Sequence, residues 1–474
     1  MRLAGGGAAL GVRFWGRAAF LVALVLTVLA NGSVAQAPLD LATIVFGLLA
    51  ALSAFPPIVA GPVARLAAAA IGLLAALVCV VVVQTLPVPA GLANEAWKSV
   101  GELVGPVRET ISVAPGMTMQ ALPRLALPFL VFLAALALFP GDEGALALWR
   151  ALAYFGAGYA VFGLLQEIFL PDRLLFARKT FYVGYLTASF VNRNTAGTFF
   201  GIALLLNLGL LFQALRQIRI ASLVGKSRAF EFGWRDKRAR VLTHGSPCLI
   251  VAVALFLTQS RGAVGATFVG AVAGVALMAM RPITADEPTG RVPVRRALAA
   301  AFAGILAVVG LFALFAGRSV QRLEAQSGED GRACAFASTI EAIKDHPIVG
   351  TGFGAFQDVF PPYRDAACAG IHGVWDRAHD FYLEGYLGLG LPFAIACGFG
   401  YAVLLGVCLR GLRRRRRLRF VPVMGLGALI LASLHALVDF SLQISGVAVY
   451  FAAALAATAT ISLGGGAPSR GQSL

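Results

Sequence analysis

The sequence predicts an all-α polytopic membrane protein with about twelve transmembrane helices and one large extracytoplasmic loop. Three observations carry that prediction. Hydrophobic residues make up 59% of the 474 residues and charged residues only 13%, where a soluble surface brings charge to roughly 25%. The apolar residues gather in runs of membrane-spanning length. The basic residues fall in blocks that one topology places on a single side. A formal charge of +16 and a pI near 10.2 would suggest nucleic acid on a soluble protein, but here basic loops explain it.

A helix needs about 20 mostly apolar residues to cross the hydrocarbon core. Such runs lie at 18–36, 39–55, 65–86, 123–140, 147–170, 195–215, 243–259, 262–280, 297–316, 383–409, 420–438 and 444–463. Lys and Arg near span ends stay cytoplasmic. The segment 216–240 holds eight Lys or Arg against Glu231 and Asp236, and 410–419 holds seven Arg and no acid. Arg281, Arg291, Arg295 and Arg296 flank a further connection, and Arg2, Arg13 and Arg17 precede the first run. Twelve spans with both termini inside put every one of these groups in the cytoplasm. Arg13, Arg17 and the small residues Ser33 to Ala37 also resemble a signal peptide. Retention as an anchor is the expectation, and cleavage leaves the other spans' sidedness unchanged.

The opposite side receives the loops 87–122, 171–194 and 317–380. The first carries an expected surface helix around Asn94–Val113. The last holds six Arg or Lys against nine Asp or Glu and is long enough to order itself. Within it, Ser338-Thr339-Ile340-Glu341 reads as a capping box opening a short helix that ends before Pro347. Cys334 and Cys368 are the only cysteines of the outer loops. They pair if that compartment is oxidising, which contributes about 4 kcal/mol in the chain-entropy model; otherwise they are two free thiols. Gly350-Thr351-Gly352-Phe353-Gly354 lacks the Lys-Ser/Thr of a phosphate-binding loop and reads as a bent turn. No His, Cys, Asp or Glu cluster has metal-ligand spacing.

Four polar groups stand at the outer ends of spans, on one side by this topology: Asn192-Arg193-Asn194, Thr258-Gln259-Ser260-Arg261-Gly262, Arg377-Ala378-His379-Asp380, and His435 with Asp439 and Gln443. An Arg held in hydrocarbon costs about 2.5–3.5 kcal/mol at a helix centre, less near the interface. Such a residue pairs, lines a wet cavity or meets an anion. Plain structural readings exist: Arg193 as a snorkelling anchor, His435 and Asp439 as a packing pair. Arg261 is harder to dismiss, because Gly262 alone suffices for the turn. Arg413–Arg417 is a topological signal.

These residues carry a resemblance. Phe190-Val191-Asn192-Arg193-Asn194, Thr258-Gln259-Ser260-Arg261-Gly262, the run Asp345 to Phe356, Phe360-Pro361-Pro362-Tyr363-Arg364, Ala378-His379-Asp380-Phe381-Tyr382-Leu383-Glu384 and Leu437 to Ile444 together resemble, in that order, the bacterial O-antigen ligase family. That family includes ligases, surface-polysaccharide polymerases and protein O-oligosaccharyltransferases. On this resemblance, residues 1–182 are the N-terminal spans, 183–444 the ligase-like core with its periplasmic loop, and 445–474 the last span and a cytoplasmic tail. It implies a multi-pass protein of the bacterial inner membrane, acting on the periplasmic face. The activity implied is an inverting glycosyl transfer from a polyprenyl (undecaprenyl) diphosphate glycan to an acceptor hydroxyl on lipid A core, a second lipid-linked glycan or a protein. No metal or other cofactor is implied, and no nucleic-acid partner.

Carried over residue by residue, the catalytic set is His379, Arg261 and Arg193. Asn192, Asn194, Ser260, Tyr363, Arg364, Arg377, Asp380 and Asp439 form the substrate-binding set. The family often has Asn where this chain has Asp380, and an acidic residue before a later Leu-Gly pair, where this chain reads Tyr386-Leu387-Gly388. The chemistry agrees with the assignment. A diphosphate leaving group needs its developing charge stabilised, and the planar guanidinium binds phosphate bidentately. A histidine titrating near neutrality can take the acceptor's proton. Trp375 joins Tyr363, Arg364 and Arg377 in a loop able to close over a sugar chain. The rival from another class, a lipid-linked-oligosaccharide transporter, places its charges near the bilayer midplane. A scaffold would leave the outer arginines dispensable.

Overall fold

The computed structural model describes residues 4–53, 61–175, 177–216, 231–279, 328–364, 368 and 373–464. The described residues are predominantly helical, and pairing between extended segments among them is confined to two isolated bridges. The helices are α1 (Ala4–Leu29), α2 (Gln36–Ser53), α3 (Gly61–Thr85), α4 (Ala96–Val104), α5 (Pro115–Leu138), α6 (Gly141–Phe169) and α7 (Arg193–Arg216). They continue as α8 (Glu231–Leu257), α9 (Arg261–Ala279), α10 (Gly328–Asp345), α11 (Phe381–Leu389), α12 (Leu391–Arg414), α13 (Phe420–Ala436) and α14 (Ser445–Leu463). Eight are long and apolar enough to cross a membrane, and Val241–Leu257 and Phe420–Ala436 are shorter apolar helices. The protein is an integral membrane protein. Every apolar run named above is helical except 297–316, which lies outside the described residues.

Composition decides which helix sits in the middle. In α14, 83% of the membrane-spanning stretch is buried, against 11% in α3 and α12. The α14 sequence is dominated by Ala, with Ser, Gly and Thr; small side chains let backbones approach, which is how helices pack where lipid removes the hydrophobic drive. Tyr450 anchors it, donating to the Leu152 carbonyl at 2.9 Å. Where α9 crosses α13, a Cβ on Gly270 would lie 2.4 Å from the Gly427 carbonyl oxygen.

Three local expectations change. The run 383–409 is two helices, broken at Gly390, whose φ of +65° favours glycine. The break lets Leu391 donate its N–H to the Ile348 carbonyl at 3.0 Å, so the loop is stitched to the first residue of α12. The surface helix is only Ala96–Val104, ended by Gly105 at φ +89°. Ser338 does not open a helix: α10 starts ten residues earlier, at Gly328. The Thr339 hydroxyl bonds back to the Ala335 carbonyl at 2.5 Å, and Ser338 Oγ stands 3.6 Å from the Cys368 sulfur. These hydroxyls are satisfied within and against the helix instead of capping it.

The extramembrane unit has its own small core of Ala335, Ala342, Phe356, Phe360 and Leu387, and Cys334 and Cys368 are joined in a disulfide. The bent turn at 350–354 docks it on the bundle. Thr351 and Gly352 donate to the carbonyls of Leu387 and Gly388 at 2.9 and 3.1 Å. Gln84, buried at the end of α3, donates to Val349 and Gly388 at 2.7 and 2.8 Å and accepts from the Phe353 N–H at 3.2 Å. We call this end of the bundle the loop face.

Candidate functional site

The four polar groups predicted at span ends meet at the loop face. Asn194, one residue into α7, donates to Asp439 Oδ2 at 2.8 Å and accepts from Ser260 Oγ at 2.9 Å. Asp439, fully buried between α13 and α14, also accepts from the Ser441 N–H at 2.8 Å and from its hydroxyl. Thr198 Oγ1 lies 2.7 Å from His435 Nδ1. Thus His435 and Asp439 are not a pair with each other; each holds α7, through different residues. A buried carboxylate needs this many donors to remain charged. The result ties the starts of α7 and α9 to the α13–α14 turn.

Arg193 opens α7 and needs no carboxylate to hold it. Its guanidinium lies over the rings of Tyr185 and Tyr182, 4.4 and 5.6 Å from their centroids, within cation–π range. Its buried Nε has no hydrogen-bond partner among the described residues. Lys179 fixes this aromatic shelf: its buried ammonium reaches Glu167 at 3.1 Å and the Tyr185 carbonyl at 2.7 Å. Burial raises the Tyr182 phenol above its ordinary value, with the Arg193 charge opposing. Asn192 caps the following turn, accepting the Asn194 N–H at 2.7 Å. Arg261, first residue of α9, is exposed and makes no ion pair among the described residues.

His379 stands in a left-handed conformation, φ +60°, which is costly for a residue with a Cβ. Its ring is wedged between Trp375 and Phe440, with centroids 5.2 and 4.9 Å away, and its buried Nδ1 has no partner among the described residues. Burial holds the imidazole below its ordinary value. Asp439 and Asp376 oppose that shift, and Arg332 and Arg377 reinforce it. The ring is therefore neutral at pH 7.

Asp380 is the N-cap of α11, one oxygen accepting from the Tyr382 and Leu383 N–H groups at 2.7 and 2.9 Å; burial raises its carboxyl despite those bonds. Its geometry is that of a cap orienting the His379 turn. Arg377 is paired with Glu384 at 3.2 Å and with Gln443 Oε1 at 2.9 Å. Tyr363 and Arg364 lie further out: Tyr363 donates to Asp345 at 2.8 Å, which with burial lifts its phenol to about 12. Arg364 donates to the Gly373 carbonyl at 3.2 Å.

Sequence reasoning passed over Arg332, Lys179, Tyr182, Tyr185 and Glu384. Arg332 sits on α10, two residues before the disulfide, and its charge bears on His379, His435 and Tyr182. It brings a third guanidinium to the group from the loop side. It lay in a polar segment among other charges, with no apolar background to make it stand out.

The fold and the site together define an α-helical membrane bundle with an imidazole and several guanidiniums at its loop face. A family model described as O-antigen ligase matches residues 247–397, less than half of the chain, and this segment is similar to that family. The match spans Arg261 and His379; Arg193 and Asp439 lie outside it. No curated protein matches the chain.

Proposed function

We propose that this protein transfers a glycan from a polyprenyl diphosphate to an acceptor hydroxyl at the periplasmic face of the bacterial inner membrane. The observation that carries the reading is that two groups of the loop face, the His379 imidazole and the Arg193 guanidinium, each keep a buried nitrogen without a hydrogen-bond partner among the described residues. Each half of the reaction needs one of these. His379 accepts the proton of the acceptor O–H as that oxygen attacks the anomeric carbon. The bond from that carbon to the diphosphate oxygen breaks as the new glycosidic bond forms on the opposite face, with inversion. The departing diphosphate gains negative charge, which Arg193, Arg261 and Arg332 stabilise. Fixed cations in a partly desolvated site act more strongly there than in water.

The Asn194–Asp439–Ser260 network holds the donor end rigid, and the unit of Tyr363, Arg364 and Trp375 faces the glycan. The gathering of the site's polar groups at the loop face favours surface chemistry over transport. The deciding experiment offers purified protein undecaprenyl-diphosphate glycan with lipid A core or with no added acceptor. One block moved to the core defines a ligase, and ladder growth on the carrier defines a polymerase. Full transfer by both Arg261→Ala and His379→Ala would remove the mechanism.

A further inference from the structure

Beside Arg377, two residues before His379, lies a second feature that this reaction scheme leaves unused. A cavity of about 390 Å³ runs between α3, α5, α12 and α14, walled by apolar side chains such as Ala70, Leu73, Phe129 and Phe393. Its polar residues gather at the α11 end: Arg124, Arg377, Glu384 and Gln443. Arg377 and Glu384 satisfy each other. Arg124 has no hydrogen bond or ion pair among the described residues, although the charges of Arg377, Glu384 and Asp376 bear on it. It projects from inside α5, flanked by Pro123 and Leu125 in a helix of high hydropathy. A half-buried cation costs free energy in such a helix unless an anion answers it.

The charges divide into two sets. Tyr182 senses Arg193, Asp439 and Arg332; Arg124 senses Arg377, Glu384 and Asp376. His379 senses members of both. The imidazole therefore lies within electrostatic reach of both sets, one with an aromatic shelf and one that heads an apolar groove. Two lipid-borne reactants require such an arrangement: two head groups must meet at one base while their chains remain in the bilayer.

We infer that this groove seats the acceptor, as a membrane glycolipid whose chain lies along α3 and α12 and whose phosphate is met by Arg124. The inference rests on the transferase reading and names the chemistry of its second substrate. Charge complementarity and the groove's continuity with His379, through Arg377 and Gln443, select this occupant over the donor or bulk phospholipid.

The test uses the full chain in phosphatidylcholine nanodiscs with a photo-crosslinking residue in place of Leu73. The probes are lipid A core glycolipid and undecaprenyl-diphosphate glycan. The expected result is capture of the glycolipid, reduced about tenfold by Arg124→Gln, with a matching rise in KM for the glycolipid and none for the donor. Ala70→Trp, which fills the groove without touching a charge, lowers capture independently. Capture of the donor at this position, or glycolipid capture indifferent to both variants, overturns the inference. If wild-type protein captures glycolipid but transfers nothing to it, the groove stands and the transferase reading fails. Transfer to the glycolipid without capture at this position leaves the transferase reading standing and overturns the groove.

Discussion

The two ends of the bundle use arginine in opposite ways. At the basic end, 410–419 carries seven arginines, and Arg415 among them grips Asp142 with both terminal nitrogens, at 2.9 and 2.6 Å, while its Nε reaches the Ile461 carbonyl at 2.5 Å. At the loop face Arg193 rests on two tyrosine rings with a buried nitrogen unanswered, and Arg261 is exposed without an ion pair among the described residues. The dense block, through Arg415, locks α12 to α6 and α14. The sparse set keeps its donors for something else. Charge density marks a side of the membrane; unfilled hydrogen-bonding capacity marks a site.

That contrast breaks first where the largest effect is expected. His379→Ala should lower transfer by about 10²–10⁴-fold, the range for losing a general base, without changing the thermal midpoint by more than a degree or two. Wild-type transfer should also fall only on acidification below the ordinary histidine value of about 6.5, because burial depresses this imidazole. The same sign applies to stability. The folded chain binds fewer protons near that pH than the unfolded chain, so the contribution is present at neutral pH and is lost as pH drops through the folded-state value. An acid limb at or above pH 7 would show that another group titrates.

Gly390→Ala comes next, as a change to the scaffold alone. A Cβ there would sit 2.3 Å from the Ile348 carbonyl oxygen at a φ of +65°, so a destabilisation of about 2 kcal/mol or more is expected, read by thermal unfolding in detergent. Wild-type stability would mean that the break in the tenth span does not depend on glycine. Arg415→Ala should cost about 1–2 kcal/mol, since Asp142 is partly exposed, and leave turnover per folded molecule intact. If it instead abolished turnover while folding normally, the division between the two ends would be false. The smallest effect belongs to Tyr185→Leu, which removes the ring under Arg193. Worth about 0.5–1 kcal/mol, it should raise the KM for donor a few-fold and leave kcat nearly unchanged.

Much of this was legible in the sequence. Span length and hydropathy are local properties, and so are the runs of arginine, which is why the helices and the basic blocks could be read directly. Asn194, Ser260 and Asp439 stood out because polar groups are rare at the ends of apolar helices. The roles they take were not legible. His435 and Asp439, one turn apart in sequence, turn to different partners on α7, and no periodicity encodes which neighbour arrives.

What the sequence by itself determined, then, is an α-helical membrane protein, its candidate polar positions and a family resemblance, because each rests on composition or on short ordered motifs. Only the tertiary structure decided that α14 is the central post, that the break at Gly390 lets the loop be stitched to α12, and that Asp380 caps a helix. It also decided that the charge of Arg332 bears on His379 and that Arg124 lines a cavity together with Arg377 and Glu384. The physical reason is common to all of these. Burial and partner choice arise from contacts between residues tens or hundreds of positions apart, and a charge has meaning only once its neighbours have answered it or left it unanswered.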